Sequence, residues 1–554
     1  MTDVVRGTGV VAGVVKAPAI WKRSFSPLPA PLYALPSEHR EAEAEDLIHA
    51  VQMVAVGYEE RAHQADGETA EVLTAIAQLA SDRGWIRPAL KAIADGVPAT
   101  TACINAIETI ATSFRKLGGV MGERATDLAD IRDRVVARLS GQPEPGVPTP
   151  EVPSILLADD LSPADTADLD LSLIVGIATR MGGHTSHTAI IARQRGLPCV
   201  VGATALSDIA EGDSVLLDGA AGTLTRRLAD LDADALVAAD ARRRAAIDAW
   251  AGPARTADGV SVELLANVAD GEAARDASAR PVDGVGLYRT ELGFLNSVTE
   301  PSVQEQAAAY AEVLDAFGGR KVVVRTLDAG TDKPVPFASL ADEPNPALGI
   351  RGHRLALAQP GLVSNQLDAI ALAAEGHEPR PWVMAPMIST VDEARGFAED
   401  CRERNLRAGV MVEVPAVALL AEEILREVDF VSVGTNDLTQ YVMAADRLAP
   451  ELAHLTDPWQ PGVLRLTNFT AQAGKRVGKP VGVCGEAAAD PLLACVLVGM
   501  GITSLSMAAA AVPAVGVQLE KVTSTDCERA AEAALNAATA ADARSAAAEA
   551  LLKV

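Results

Sequence analysis

The stretch AGVMVEVPAVALLAEEILREVDFVSVGTNDLTQY, residues 408–441, decides how the second half of the chain folds. An apolar run (408–413) ends in Glu413, a helical pattern follows, and a second apolar run (428–433) leads into GTNDLTQY. Short apolar runs alternating with helical patterns read as parallel strands covered by helices. Working outward from it, the same pattern recurs and gives eight candidate strands, at 260–266, 283–288, 321–327, 382–387, 408–413, 428–433, 480–484 and 502–507. Eight parallel strands with intervening helices predict a C-terminal (β/α)8 TIM barrel over 259–554. An alanine-rich helix at about 525–552 ends the chain.

Upstream, the alanine- and charge-rich segment 229–252 reads as a helix within a linker spanning 229–258. Residues 154–228 alternate short strands and helices, which predicts a small α/β unit. A proline-rich connector, GQPEPGVPTPEVP (141–153), precedes it and cannot continue a helix. From about Ser37 to Leu139 helical spacing dominates, and residues 7–21 read as a hairpin of short strands with glycine turns. The expected organisation is a multidomain α/β chain. Its α/β domain is built from 1–21 and 146–228, with a helical domain (22–145) inserted.

Composition bounds the function. With 74 acidic against 48 basic residues the net charge is −26, so nucleic acid and anionic lipid are repelled at long range. Aromatic residues are only 3 %, so alanine, valine and leucine must fill most of the interior. The six cysteines are scattered, without a CxxC pair, as expected of reduced thiols in the cytoplasm. No basic stretch with a long apolar run opens the chain and no span of about 18 apolar residues occurs, so neither signal peptide nor membrane insertion is expected.

Against this acidic background the strand ends stand out. The second gives Arg289; the third gives Arg325, with Asp328 and Lys333 beyond it; NPALGIRGHR gives Arg351. The fifth gives Glu413, the sixth Asn436 and Asp437 with Arg447 further on, and the seventh Cys484. The C-terminal strand ends of a TIM barrel are where its chemistry sits. Arginines clamp phosphate and carboxylate, Glu413 and Asp437 are hard ligands of the kind Mg²⁺ prefers, and a thiol can donate a proton. Taken singly, each residue also has a structural reading. Arg351 and Arg447 suit ion pairs, Asp328 suits pairing with Lys333, Asp437 suits a helix cap, and Cys484 suits a small buried hydrophobe.

A second constellation lies at MGGHTSHTAIIARQRGLPCVVGA, residues 181–203. Two glycines and the cluster His184, Thr185, Ser186, His187 and Thr188 precede a clean amphipathic helix, and a helix N-terminus favours an anion. A neutral ring nitrogen there can attack phosphorus. Residues alone leave His184 and His187 as competitors, and leave open that Ser186 or Thr185 is only an N-cap.

GGHTSHTAIIAR resembles the phosphohistidine motif of phosphoenolpyruvate-using enzymes, among them enzyme I of the bacterial phosphotransferase system, pyruvate phosphate dikinase and phosphoenolpyruvate synthase. The resemblance makes His187 the phosphorylated residue, and Thr188 is similar to enzyme I. His184 stands where enzyme I commonly has arginine. The barrel motifs resemble enzyme I as well, although DAGTDK carries Thr331 in place of a usual glycine. They imply Arg289, Arg325, Asn436, Arg447, Lys333 and Arg351 around phosphoenolpyruvate, Glu413 and Asp437 on Mg²⁺, and Cys484 as proton donor. Over nearly the whole chain, enzyme I implies transfer from phosphoenolpyruvate to His187 and then to the phosphocarrier HPr, with release of pyruvate. This is the first step of sugar uptake by that system. It also implies HPr docking on the helical domain and a homodimer through the barrel. A dikinase or synthase would need a nucleotide-binding domain, for which the helical 150 residues before the motif leave no loop. A degenerate metabolite-sensing regulator would lack the catalytic residue types present here.

Overall fold

The computed structural model describes residues 4–23, 34–64, 67–117, 119–142, 144–161, 165, 169–183, 186–226, 230–294, 297–330, 335–338, 343–447, 449 and 452–552. The chain forms two compact units, Met1–Arg243 and Arg244–Val554.

In the first unit, eight strands form one sheet in the order β1-β8-β7-β3-β4-β5-β6-β2. They are β1 (Val4–Arg6), β2 (Thr8–Val11), β3 (Val14–Trp21), β4 (Ser154–Ala158), β5 (Ile174–Thr179), β6 (Cys199–Val201), β7 (Ser214–Asp218) and β8 (Thr223–Arg226). Neighbours β3, β4, β5 and β6 run parallel, and the remaining pairs are antiparallel. Residues 7–21 do not form the expected hairpin. Both edges of β3 are taken by β4 and β7, so β2 pairs with β6 instead.

Five helices, Arg40–Gln64, Gly67–Ala80, Arg83–Ala94, Ala99–Leu117 and Gly119–Leu139, intervene between β3 and β4. They bury their own core, including Leu47, Tyr58, Trp85, Ile93, Ile107 and Ile131, distinct from the cores on the two faces of the sheet. The helix Arg83–Ala94 illustrates the local logic: Asp82 caps it by accepting from the Gly84 N–H, and Trp85, Ala89 and Ile93, spaced four apart, are its buried stripe. The helix expected in the linker is present as Asp230–Ala249, and the division between the units falls inside it.

In the second unit, β9 (Glu263–Val268), β10 (Gly284–Arg289), β11 (Lys321–Arg325), β12 (Trp382–Ala385), β13 (Arg407–Val412), β14 (Phe430–Val433), β15 (Val481–Val483) and β16 (Ser504–Met507) close into an all-parallel barrel. Each matches one of the eight expected strands. The pleat sorts their side chains. Val322 and Val324 of β11 pack in the outer core against helices, whereas Val323 joins Leu287, Met384, Met411, Phe430 and Cys484 inside the barrel. The expected terminal helix is two helices, Ser524–Leu535 and Ala540–Leu552. Among the described residues no helix is long and apolar enough to cross a membrane.

Candidate active site

Strand alternation delivers the functional side chains to one end of the barrel. Leu287, Val323 and Met411 point inward, and two residues later along each chain come Arg289, Arg325 and Glu413. Cys484 follows β15, while Asn436 and Asp437 lie in the first turn of the helix Thr435–Met443 after β14. The result is a cavity of ≈ 790 Å³ whose lining includes Arg289, Arg325, Glu413, Asn436, Asp437, Arg447 and Cys484. Seven of the expected site residues thus meet at the C-terminal mouth of the barrel. Lys333 lies outside the described residues.

Beneath the mouth sits a charged lattice. One carboxylate oxygen each from Asp328, Glu413 and Asp437 lies within 4.8 Å of the others, and all three residues are buried. Arg351 is fully buried, and its Nε and Nη2 both bond Asp328 at 3.2 Å while Nη1 lies 3.3 Å from Asp437. Arg325 pairs with Asp328 at 3.1 Å and with Glu291. Burial opposes the charge on Arg325, but Glu291, Asp328 and Glu413 outweigh it and hold its pKa above the ordinary value. Arg351, expected at the substrate, is therefore placed below the cavity lining, where it binds carboxylates.

Glu413 is held on one side only. Its Oε2 accepts the Met387 N–H at 3.0 Å, while Oε1 is buried without a hydrogen-bond partner. Met387 reaches that position with φ 60°, a left-handed conformation that costs a non-glycine residue of order 1 kcal/mol. Burial, reinforced by Asp437 and Asp328, pushes the Glu413 carboxyl up to about 8, which Arg325 and Arg351 only partly offset. Three converging carboxylates, one with an orphaned oxygen, can hold a divalent cation, and the residues present fit one. Close approach requires glycine here. A Cβ on Gly434 would lie 2.8 Å from the Glu413 side chain, and one on Gly485 would lie 1.9 Å from Thr435 Oγ1.

Cys484 is buried, and its Sγ faces the Val433 carbonyl at 3.7 Å. Burial pushes the thiol up to about 11; a Ser432 hydrogen bond works against this and Glu413 adds to it. The group therefore stays a thiol at neutral pH, able to donate a proton. Asn436 is oriented through its Oδ1, which accepts the Glu486 N–H at 3.1 Å.

Two residues of the site, Glu291 and Gln366, are not singled out by the sequence, and Asp328, which the strand-end pattern does single out, is given no ligand role there. Asp328 is the third carboxylate, and Glu291 is the partner of Arg325. Gln366, buried on the helix Pro360–Ala373, accepts the Leu327 N–H at 2.8 Å and donates to Thr290 and Tyr310, both at 3.0 Å. It thereby ties together the loops after β10 and β11 that carry Glu291 and Asp328. The RTLDAG segment signals Asp328 by its place after a strand, whereas nothing local signals Gln366.

In the first unit, the helix His187–Arg195 begins at the expected nucleophile. Ser186 caps it by accepting the Ala189 N–H at 3.3 Å, and buried Thr188 reaches Asp160 at 3.4 Å. His184 and Thr185 lie outside the described residues, as does the His187 side chain.

Three family models match in chain order: "PEP-utilising enzyme, N-terminal" over 6–124, "PEP-utilising enzyme, mobile domain" over 150–222 and "PEP-utilising enzyme, PEP-binding domain" over 244–524. Relatives named phosphoenolpyruvate-protein phosphotransferase include one from Streptomyces coelicolor, 46% identical and covering 99% of both chains. Another, from Haloferax volcanii, is 38% identical over 97% of both. A third, from Bacillus subtilis, is 35% identical over 85% of this chain and 86% of its own. With similarity of that extent through all three matched segments, the chain belongs to the phosphoenolpyruvate-utilising enzymes and, within them, to the phosphoenolpyruvate-protein phosphotransferases.

Proposed function

We propose that this chain takes the phosphoryl group of phosphoenolpyruvate at the barrel mouth, carries it on His187 and passes it to the histidine of the phosphocarrier HPr, releasing pyruvate. The observation that carries the reading is the trio Asp328, Glu413 and Asp437 beneath an arginine-lined cavity that also holds a neutral thiol. The similarity to phosphoenolpyruvate-protein phosphotransferases supports this enzyme activity over a dikinase or synthase reaction.

In this reading Arg289, Arg325 and Arg447 receive the phosphate and carboxylate of the substrate, and Asn436 sets its orientation. Lys333 and Arg351 were assigned to the same substrate. Arg351 serves it from below, by fixing Asp328 and Asp437. Glu413 and Asp437, with Asp328 beside them, hold Mg²⁺; the ion, when bound, supplies neutralisation of the phosphoryl and enolate oxygens. The neutral imidazole of His187 forms the new P–N bond as the P–O bond to the enolate breaks. Cys484 delivers its proton to the methylene carbon of enolpyruvate, which becomes pyruvate, and the thiolate regains a proton from water.

HPr docks on the helical block, where Ile48, Met53 and Val56 of the first long helix are exposed apolar side chains. The barrel pairs with a second copy, in keeping with exposed Leu348, Leu357 and Leu419. The test is incubation with radiolabelled phosphoenolpyruvate and Mg²⁺ followed by mapping of acid-labile label. The label is expected on His187 and absent from His187→Ala. Label retained by that variant would overturn the assignment.

A further inference from the structure

A second cavity, of ≈ 560 Å³, lies at the opposite end of the same barrel. Its position follows from the strands: Glu263, Lys321, Trp382 and Arg407 line it, and each is the first residue of its strand (β9, β11, β12 and β13). Arg380 and Arg402 complete the cationic part of the lining. Four cations therefore converge on one hollow of a chain whose net charge is −26.

Many surface arginines of the barrel unit are matched by a carboxylate, although exposed Arg465 bonds the Leu535 and Ala537 carbonyls instead. Arg395, Arg404, Arg426, Arg476, Arg529 and Arg544 each pair with a carboxylate. At the foot cavity Arg380 bonds only the Arg404 carbonyl, at 3.4 Å, and its buried Nε has no partner. Arg402 donates to the Glu427 carbonyl, and the Arg407 guanidinium rests 5.0 Å from the Trp382 ring centroid. Lys321 alone has a carboxylate, Glu263 at 2.8 Å, and its Nζ lies 4.1 Å from the same ring. Trp382 thus holds two cations in place without neutralising them. Two carboxylates, Glu263 and Glu378, share the lining with the four cations, and only Glu263 is paired with one of them among the described residues, so the hollow keeps an excess of positive charge.

We propose that this foot cavity is a binding site for a small polyanion bearing phosphate or several carboxylates, distinct from the phosphoenolpyruvate site. Guanidinium forks suit both oxyanions, and three arginines without carboxylate partners favour a ligand with at least two charges. Each face of the Trp382 ring that carries a cation is closed to a stacking ligand, so recognition rests on charge and hydrogen bonds rather than on a ring.

The full chain would be titrated calorimetrically, without Mg²⁺ and at constant ionic strength, with pyrophosphate and separately with citrate. Arg380→Ala/Arg407→Ala is expected to weaken the bound probe about tenfold or more, the loss of charge-assisted bonds. Arg447→Ala, at the mouth, should leave that binding within about twofold. Binding of pyrophosphate alone would identify a phosphate ligand, citrate alone a polycarboxylate, and both a general polyanion site. Melting curves without anion establish that each variant is folded. Exposed Arg402→Ala, expected to weaken binding about threefold, carries the test should the double variant fail to fold. No heat from either probe, or a loss confined to Arg447→Ala, would overturn the proposal.

Discussion

The two ends of the barrel handle charge in opposite ways. At the mouth, Arg325 and Arg351 are buried and consumed by Glu291, Asp328 and Asp437. Two buried carboxylate oxygens there, Glu413 Oε1 and Glu291 Oε2, have no hydrogen-bond partner among the described residues, and the Glu413 oxygen faces the other two carboxylates of the trio. At the foot, Arg380, Arg402 and Arg407 are left wanting an anion. The same residue type is scaffold where it is buried, as at Arg351, and is left open to a ligand at the rim, as at Arg447 of the mouth and Arg407 of the foot. Burial makes the difference: a guanidinium out of water must be matched inside the protein, whereas one at the rim of an open hollow can wait for a ligand.

The contrast can be broken or sharpened experimentally. The largest effect is expected from Glu413→Gln, which removes the anionic oxygen at the mouth. Loss of several kcal/mol of charge stabilisation corresponds to roughly 10³-fold in turnover, measured as pyruvate release, with little loss of stability. Cys484→Ala should slow pyruvate formation by roughly 10²–10⁴-fold. It should spare equilibrium labelling of His187, so the two readouts separate proton delivery from phosphoryl transfer. Asp328→Asn removes the carboxylate that Arg325 and Arg351 share, leaving them Glu291 and Asp437, and should cost about 3 kcal/mol in urea unfolding; a change below about 1 kcal/mol would mean the lattice is not structural.

A smaller effect concerns pH. Glu413 has a native pKa of about 8, above its ordinary value of 4.5, so between those values the folded state binds more protons than the unfolded chain. The contribution is fully present below the ordinary value and is lost as pH rises to and through about 8. In chelator, the melting temperature should therefore fall by a few degrees across this window, and Mg²⁺ should flatten the slope. Least of all, Lys321→Met at the foot should cost about 0.5–1 kcal/mol, since one partly exposed pair and one ring contact are at stake.

The barrel was legible because its strands are short apolar runs at regular spacing, and because a strand-end residue two places after an inward one must also face inward. That rule places Arg289, Arg325 and Glu413 from sequence alone. It does not say what each will touch. Asp328 looks like a partner for nearby Lys333, yet Arg351 and Arg325 hold it. Arg351 itself reaches Asp437, 86 positions further on, because barrel closure brings distant loops together. Gln366 sits on a covering helix, where a polar residue reads as surface until the loops it ties are seen to lie over it. The N-terminal hairpin failed for a related reason. Local turn chemistry favours pairing of β2 with β3, and competition from β4 and β7 for the edges of β3 overrides it.

The edge pairing of Val4 with Thr225 has a consequence for biosynthesis. Strand β1 joins its neighbour only after more than two hundred further residues have been made. The five helices between β3 and β4 have a core of their own and emerge long before that moment. They can fold while the N-terminal strands are still unpaired, which shortens the flexible loop that must close and lowers its entropic cost. An early-folding insert would then act as a clasp, drawing together the two halves of a sheet that chain order keeps apart.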